Sequence, residues 1–210
     1  MARPGRPQQA GAAQSSYLRR GRGAGSISGD TIADWSGAFE LVPSLEVAYV
    51  WHATSHMAEV AEGLERIGFA IRQQIIWVKP QAVISRSAYN WRHEPCWYAV
   101  KKGARARWTG GRDQDTVWEL ASPKQLMAGA SEEAYPHPTQ KPCECMARPV
   151  RNHTGEVYDP FLGSGTTLIA SQQEGRSCYG MELEPRYVAL AVRRWELYTG
   201  KTAVLEARHG

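Results

Sequence analysis

No stretch of the 210 residues approaches the apolar run of about 20 that a membrane-spanning helix needs. Nothing apolar follows the first basic residues, so no secretory signal is read there and a cytoplasmic protein is the expectation. Cysteine is sparse: Cys96, Cys143, Cys145 and Cys178 form no C-x-x-C pair. In a reducing compartment they are better read as small buried side chains than as disulfides. Metal ligands in a workable spacing are also lacking. Cys143 and Cys145, two apart on a helix, face directions about 200° apart, and His137 and His153 have no partners at zinc spacing. No metal is expected. A strong charge excess is missing too: 25 Lys and Arg against 21 Asp and Glu permit a polyanionic partner without demanding one. Finally, none of the 12 prolines stands beside another.

What is present divides unevenly. Residues 1–29 are rich in Arg, Gly, Ala and Gln without apolar periodicity, and read as a disordered leader. Such a leader is either a basic arm that touches nucleic acid or an arbitrary product of truncation or a shifted frame. From residue 30 to 210 the pattern becomes that of a single domain. Glu46–Ala53 reads as a buried strand, followed by a helix with Met57, Val60, Ala61, Leu64 and Ile67 on its apolar face, capped by Thr54 or Ser55 and ended by Gly68. IRQQIIWVK (71–79) and EPCWYAVKK (94–102) read as strands, and Thr116–Leu120 as a short edge strand. A helix should start at Pro142 and be kinked by Pro149. Strand 156–159, helix 166–174, strand 178–182, a helix from Pro185 and a last strand at 202–207 complete the series. Alternating strands and helices predict an α/β fold with a mostly parallel sheet and helices on both faces.

The strongest signal is the run Asp159-Pro160-Phe161-Leu162-Gly163-Ser164-Gly165-Thr166-Thr167, which leaves a strand and opens a helix. Ligands of doubly wound folds bind at that edge of the sheet. Gly163 and Gly165 allow a tight turn and close approach to a ligand, and Asp159 can accept from an ammonium group. Glu182 ends the next strand, 23 residues on, where a carboxylate can accept from both ribose hydroxyls. A dehydrogenase would show G-x-G-x-x-G facing a pyrophosphate. G-S-G-T-T suits a nucleoside without one and opposes the oxidoreductase alternative.

HPTQKP (137–142), DPFLGSGTT (159–167) and GMELEPRYV (180–188) resemble the cofactor half of the amino-directed DNA methyltransferases, which methylate N6 of adenine or N4 of cytosine. The resemblance covers about residues 30–205 and has the motif order of the beta class. It implies a Rossmann-like methyltransferase fold with S-adenosylmethionine as cofactor and double-stranded DNA as partner. A target-recognition region would lie at about 80–135 and a cofactor half at about 136–210. It further implies that Asp159, Phe161, Gly163, Gly165 and Thr166 line the cofactor, that Glu182 meets the ribose, and that Thr139 and Lys141 lie near the cofactor carboxylate.

Between Arg86 and Arg112 lie seven basic residues and one acid, Glu94. Tyr89, Trp91, Trp97, Tyr98 and Trp108 are interleaved with them. Basic side chains neutralise phosphates and aromatic rings stack on bases, so Arg86, Tyr89, Trp91, Arg92, Lys101, Lys102, Arg105, Arg107 and Arg112 are the candidate DNA contacts. The bland alternative is a solvated rim above an aromatic core. The family holds the target amine with a tetrapeptide of Asp, Asn or Ser, then Pro-Pro and an aromatic ring, on a strand in mid-sheet. This sequence has no such tetrapeptide, and no residue is assigned to catalysis. The expectation is a truncated or frame-shifted methyltransferase with its central catalytic strand missing and adenine N6 ahead of cytosine N4 as target. An inert cofactor- or DNA-binding remnant is the alternative.

Overall fold

The structure, a computed structural model, describes residues 34–85, 87–121 and 140–206. The leader (1–29), Arg86 and Thr139 lie outside the described residues, as does part of the target-recognition region. The elements run α1 (Ser36–Glu40), β1 (Val47–Trp51), a 3-10 turn (Thr54–His56), α2 (Met57–Arg66), β2 (Phe69–Val83), β3 (Trp91–Lys101) and β4 (Val117–Glu119). Then come α3 (Cys143–Asn152), β5 (Val157–Asp159), α4 (Thr166–Gln173), β6 (Cys178–Gly180) and α5 (Pro185–Thr199).

A four-stranded sheet has the order β1-β3-β2-β4, and β5 and β6 form a separate parallel pair. The α/β class holds: β1, β2 and β4 run in one direction, and within that sheet β3 alone runs against its neighbours, antiparallel to both β1 and β2. Only the β2–β4 and β5–β6 ladders are parallel. The cause is the connection. Residues 84–90 are too few for the crossover a parallel neighbour requires, so the chain must return antiparallel. Among the described residues β1 has a ladder partner only on its β3 side, and β5 only on its β6 side.

Alternation along β1 sorts the core into two layers. Ala48 and Val50 pack with Val60, Leu64, Phe69 and Ala99 beneath α2, where Trp35 and Phe39 of the α1 segment also settle. Tyr49 and Trp51 face the other side, against Ile75, Cys96 and Trp118. Helix α4 packs on β6, and both α3 and α5 pack on α4. Polar ties join the two parts: Tyr49 Oη lies 2.8 Å from His153 Nε2, and Tyr158 Oη donates to the Ala38 carbonyl at 2.9 Å.

Two smaller expectations also change. Thr54 and Ser55 are spent on the 3-10 turn, and α2 begins without a side-chain cap. Residues 202–206 form no strand; Val204 and Leu205 are exposed, and the Ala203 N–H is taken by the Glu196 carboxylate at 2.9 Å. Gly68, in the left-handed region at φ 92°, ends α2 as expected, its N–H bonded to the Glu65 carbonyl.

Candidate functional site

Strand β5 delivers Asp159 to the start of the glycine turn. The backbone there is knitted to β6: Met181 N–H donates to the Asp159 carbonyl and Leu162 N–H to the Met181 carbonyl, both at 2.9 Å. Gly163 and Gly165 adopt φ of 54° and 79°, the left-handed region that side chains resist. At Gly165 there is also no room: a Cβ would sit 2.8 Å from Ala191 Cβ and 3.1 Å from its Cα. The second glycine is therefore needed for α4 to pack against α5 as well as for the turn.

Asp159 Oδ1 accepts the Phe161 N–H at 2.9 Å. Burial pushes its carboxyl above the ordinary range, and Glu182 adds to this. A Thr167 hydrogen bond, the Phe161 N–H and the Lys141 charge pull the other way without cancelling it. Glu182 is pinned by two backbone donors, Gly163 N–H at 2.8 Å and Glu184 N–H at 2.9 Å. Two carboxylates thus flank the turn, each held by main-chain donors rather than by a countercharge. Phe161 is half exposed, its ring 5.5 Å from Trp35 and 6.4 Å from Phe39. Thr166 stands apart from this group: it is buried, and its hydroxyl accepts from Arg194 Nη1 at 3.1 Å.

Lys141 reaches the same place from the segment before α3. Its Nζ is 3.0 Å from Glu94 Oε2 and lies over the Trp51 ring at 5.4 Å. Lys79 Nζ holds the other oxygen, Glu94 Oε1, at 2.6 Å. Burial alone would push the Glu94 carboxyl up; the two lysines override it and leave it below its usual value. Since β1 and β2 both run against β3, the ends of β1 and β2 and the start of β3 share one edge. Lys141 lies at that edge through Glu94, and its charge also reaches Asp159 at the glycine turn.

The candidate DNA contacts do not assemble as one patch. Tyr89 (88% exposed), Trp91 (49%) and Arg92 lie at the β2–β3 turn, on the edge shared with Lys141; Arg92 Nε donates to the Lys79 carbonyl at 2.9 Å. Lys101, Lys102, Arg105 and Arg107 follow the far end of β3, about 30 Å away at the usual strand rise. Lys101 donates to the Pro43 carbonyl at 3.3 Å, and Arg107 pairs with Glu46 at 2.6 Å. Arg112 lines a cleft of 360 Å³ with Tyr49, Tyr98, Trp108 and Trp118 on the α3 face. Trp97 and Tyr98 belong to the core layers.

Sequence reasoning missed several neighbours of this site. Arg194, only 5% exposed, crosses from α5 to bond the Ser164 carbonyl and the Thr166 hydroxyl. Its signal was a charge three residues after Ala191 on the inner face of a helix. Glu94 was visible as the one acid in a basic stretch. His52 closes β1 buried, stacked on Trp97 at 5.3 Å; its Nε2 has no hydrogen-bond partner among the described residues, and burial holds its pKa down. Among the described residues no three His, Cys, Asp or Glu side chains converge as metal ligands, and no helix is long and apolar enough to cross a membrane.

Residues 46–193 match the model of a DNA methylase family, the N6/N4 methyltransferases. The chain is similar to the type II methyltransferase M.Cfr9I of Citrobacter freundii, 31% identical over 64% of the chain and 47% of that protein. It is similar also to M2.DpnII of Streptococcus pneumoniae, 30% identical over 70% of the chain and 60% of that protein. The chain thus spans about half to three-fifths of these relatives. Among solved structures, the M1.HpyAVI–SAM complex aligns with TM-score 0.59 and 27% identity, over 70% of the chain and 74% of that one. The cytosine-N4-specific PvuII DNA methyltransferase aligns with TM-score 0.56 at 17% identity, over 71% and 62%, a likeness of fold.

Proposed function

Because the chain belongs to the N6/N4 DNA methylase family, we propose that it is the cofactor-binding part of an enzyme methylating an exocyclic amine in double-stranded DNA, adenine N6 ahead of cytosine N4. The observation that carries this reading is the glycine turn flanked by Asp159 and Glu182. When bound, S-adenosylmethionine supplies an electrophilic sulfonium methyl group. The residues present suit such a ligand. Asp159 is a buried acceptor held by neutral donors, matched to an ammonium group. Glu182, fixed by two N–H donors, keeps lone pairs for ribose hydroxyls. Gly163 and Gly165 hold the tight left-handed turn between the two carboxylates, and Lys141 answers a carboxylate. Phe161 offers an apolar face at the mouth of the turn. Thr139 is assigned to the same pocket on the resemblance alone.

DNA meets this edge through Tyr89, Trp91 and Arg92, with exposed rings for stacking and a cation for phosphate, and Arg86 is assigned to the same role on the sequence alone. Lys101, Lys102, Arg105, Arg107 and Arg112 stand elsewhere on the surface and serve at most as remote phosphate contacts.

A second reading concerns turnover. With no Pro-Pro-aromatic tetrapeptide, and with β1 and β5 each lacking a ladder partner on one side among the described residues, the isolated chain is a cofactor-binding remnant without methyl transfer. An extended chain, with a strand ending in that tetrapeptide between β1 and β5, regains it. Calorimetric titration with S-adenosylmethionine tests the pocket: saturable binding should disappear in Asp159→Ala and Glu182→Ala. A folded chain that binds nothing would overturn the cofactor reading. Methylation of DNA by the unextended chain would overturn the remnant reading and leave the pocket standing.

A further inference from the structure

Glu94 is the single acid within a basic stretch, and the cofactor pocket gives it no role of its own. It sits on β3 opposite Trp77 of β2, two residues short of Lys79. Each oxygen of its carboxylate holds one lysine: Oε1 meets Lys79 at 2.6 Å and Oε2 meets Lys141 at 3.0 Å. All three side chains are largely withdrawn from water, with exposures of 16% for Lys79, 32% for Glu94 and 19% for Lys141. An ion pair this enclosed is a geometric constraint rather than a passing surface contact. Trp51 floors Lys141 from the β1 side.

We propose that Glu94 is a positioning residue that fixes Lys141 at the carboxyl edge so that its ammonium meets the carboxylate of the amino-acid end of the cofactor. The inference rests on the role given to Lys141 under the proposed function. Three points support it. Strands β2 and β3 are rigid supports, whereas Lys141 precedes α3 and extends from non-helical backbone; the anchor is on the stiffer partner. An ammonium carries three N–H donors, and Glu94 accepts one of them, so others remain for a ligand. Two lysines against one carboxylate leave a surplus positive charge, and it is felt on the side of the glycine turn, where the Lys141 charge opposes in part the rise that burial imposes on the Asp159 carboxyl.

The test separates position from charge and from folding. S-adenosylmethionine and its decarboxylated analogue are titrated into the full chain and into Glu94→Asp, Lys141→Met and Lys79→Met. Glu94→Asp keeps the charge and shortens the reach by one methylene. It should weaken S-adenosylmethionine about tenfold, the scale of one charge-assisted hydrogen bond, and leave the analogue unchanged. Lys141→Met should do the same at least as strongly. Lys79→Met, which leaves the Glu94–Lys141 pair intact, should stay within about twofold of the parent chain for both ligands. Equal loss of both ligands in Glu94→Asp would mean a structural role, and unchanged or tighter S-adenosylmethionine binding would mean no anchoring; either overturns the proposal. So would a loss in Lys79→Met matching that of Glu94→Asp, since net charge would then explain both. A Lys141→Met chain that binds S-adenosylmethionine normally refutes the underlying role of Lys141 itself. Failure of the parent chain to bind either ligand refutes the cofactor pocket.

Discussion

Replacing Gly165 with alanine places a methyl group where the backbone conformation and the neighbouring helix both resist it. The left-handed φ of 79° costs a non-glycine residue about 1–2 kcal/mol. The added Cβ would lie 2.8 Å from Ala191 Cβ and 3.1 Å from Ala191 Cα, and the second of these atoms is backbone, which cannot swing aside. Helix α5 must therefore retreat from the start of α4, an overpacking cost of about 1–3 kcal/mol. The sum, about 2–5 kcal/mol, is a large share of a typical domain stability of about 5–15 kcal/mol. At about 2–4 °C per kcal/mol for a chain of this size, thermal unfolding should move down by roughly 5–15 °C. Gly175→Ala provides the internal standard: φ is 64° and a Cβ there meets nothing within 4 Å, so only the backbone cost of about 1–2 kcal/mol applies. Differential scanning of the two variants isolates the α4–α5 packing. Adding Ala191→Gly to Gly165→Ala should recover part of the loss, because it removes the nearer obstacle and leaves the main chain of α5 in the way. If Gly165→Ala melts within about 2 °C of Gly175→Ala, the claim that this glycine is required by helix packing is wrong.

Other perturbations separate stability from binding. Asp159→Asn should raise the melting temperature of the free chain at neutral pH while eliminating calorimetric S-adenosylmethionine binding. The native carboxyl has a raised pKa, so its ionised form opposes folding as pH climbs through that value. Arg194→Met should cost about 2 kcal/mol in denaturant unfolding, the scale of a charged hydrogen bond lost from the Ser164 carbonyl and Thr166 hydroxyl, with Arg194→Lys between the two. His52 and His153 both have pKa values held below 6.5, chiefly by burial. Their contribution is full above pH 6.5 and lost as pH falls through the lower folded values, so unfolding free energy should be smaller at pH 5.5 than at 7.5. His153→Gln should flatten that slope; an unchanged slope would remove His153 from the explanation.

The glycine turn was legible because its constraints are local. Asp159, two glycines and a helix start within seven residues leave the backbone few alternatives, and Glu182 follows at the end of the next strand. Elements β1, α2, β2 and β3 were equally readable from periodicity, since each buries one face on neighbours that demand it. What could not be read was direction and distance. Nothing in the composition of 86–112 says that the chain reverses before Trp91, so the basic residues read as one stretch, although Trp91 and Lys101 stand at opposite ends of the eleven-residue β3. The strand expected at 202–207 failed for a related reason: TAVLEA has strand propensity, but propensity forms a strand only where a neighbouring edge accepts it. Arg194 and Glu94 were visible as oddities of charge, yet their partners lie 15 to 51 residues away in sequence.

The arrangement of edges explains why the turn can be built correctly in a chain that lacks the catalytic tetrapeptide. The bonds that shape the Asp159–Gly165 turn come from β6, α4 and α5, all of which follow it: Met181, Glu182, Ala191 and Arg194 lie after residue 180. None of them comes from β1. The first part of the chain contributes instead through contacts from afar: Trp35 and Phe39 against Phe161, Glu94 against Lys141, and the Ala38 carbonyl, which accepts from the Tyr158 hydroxyl. Main-chain geometry of the pocket therefore depends on local packing, whereas the charge and aromatic surroundings depend on how the two sheets are held together. Loosening the four-stranded sheet from the β5–β6 pair, by removing the Tyr49–His153 and Tyr158–Ala38 ties, should leave Asp159 and Glu182 on their backbone donors while displacing Lys141 and Phe161. On the proposed pocket, S-adenosylmethionine should then bind more weakly while its decarboxylated analogue binds as before; equal weakening of both would refute the division.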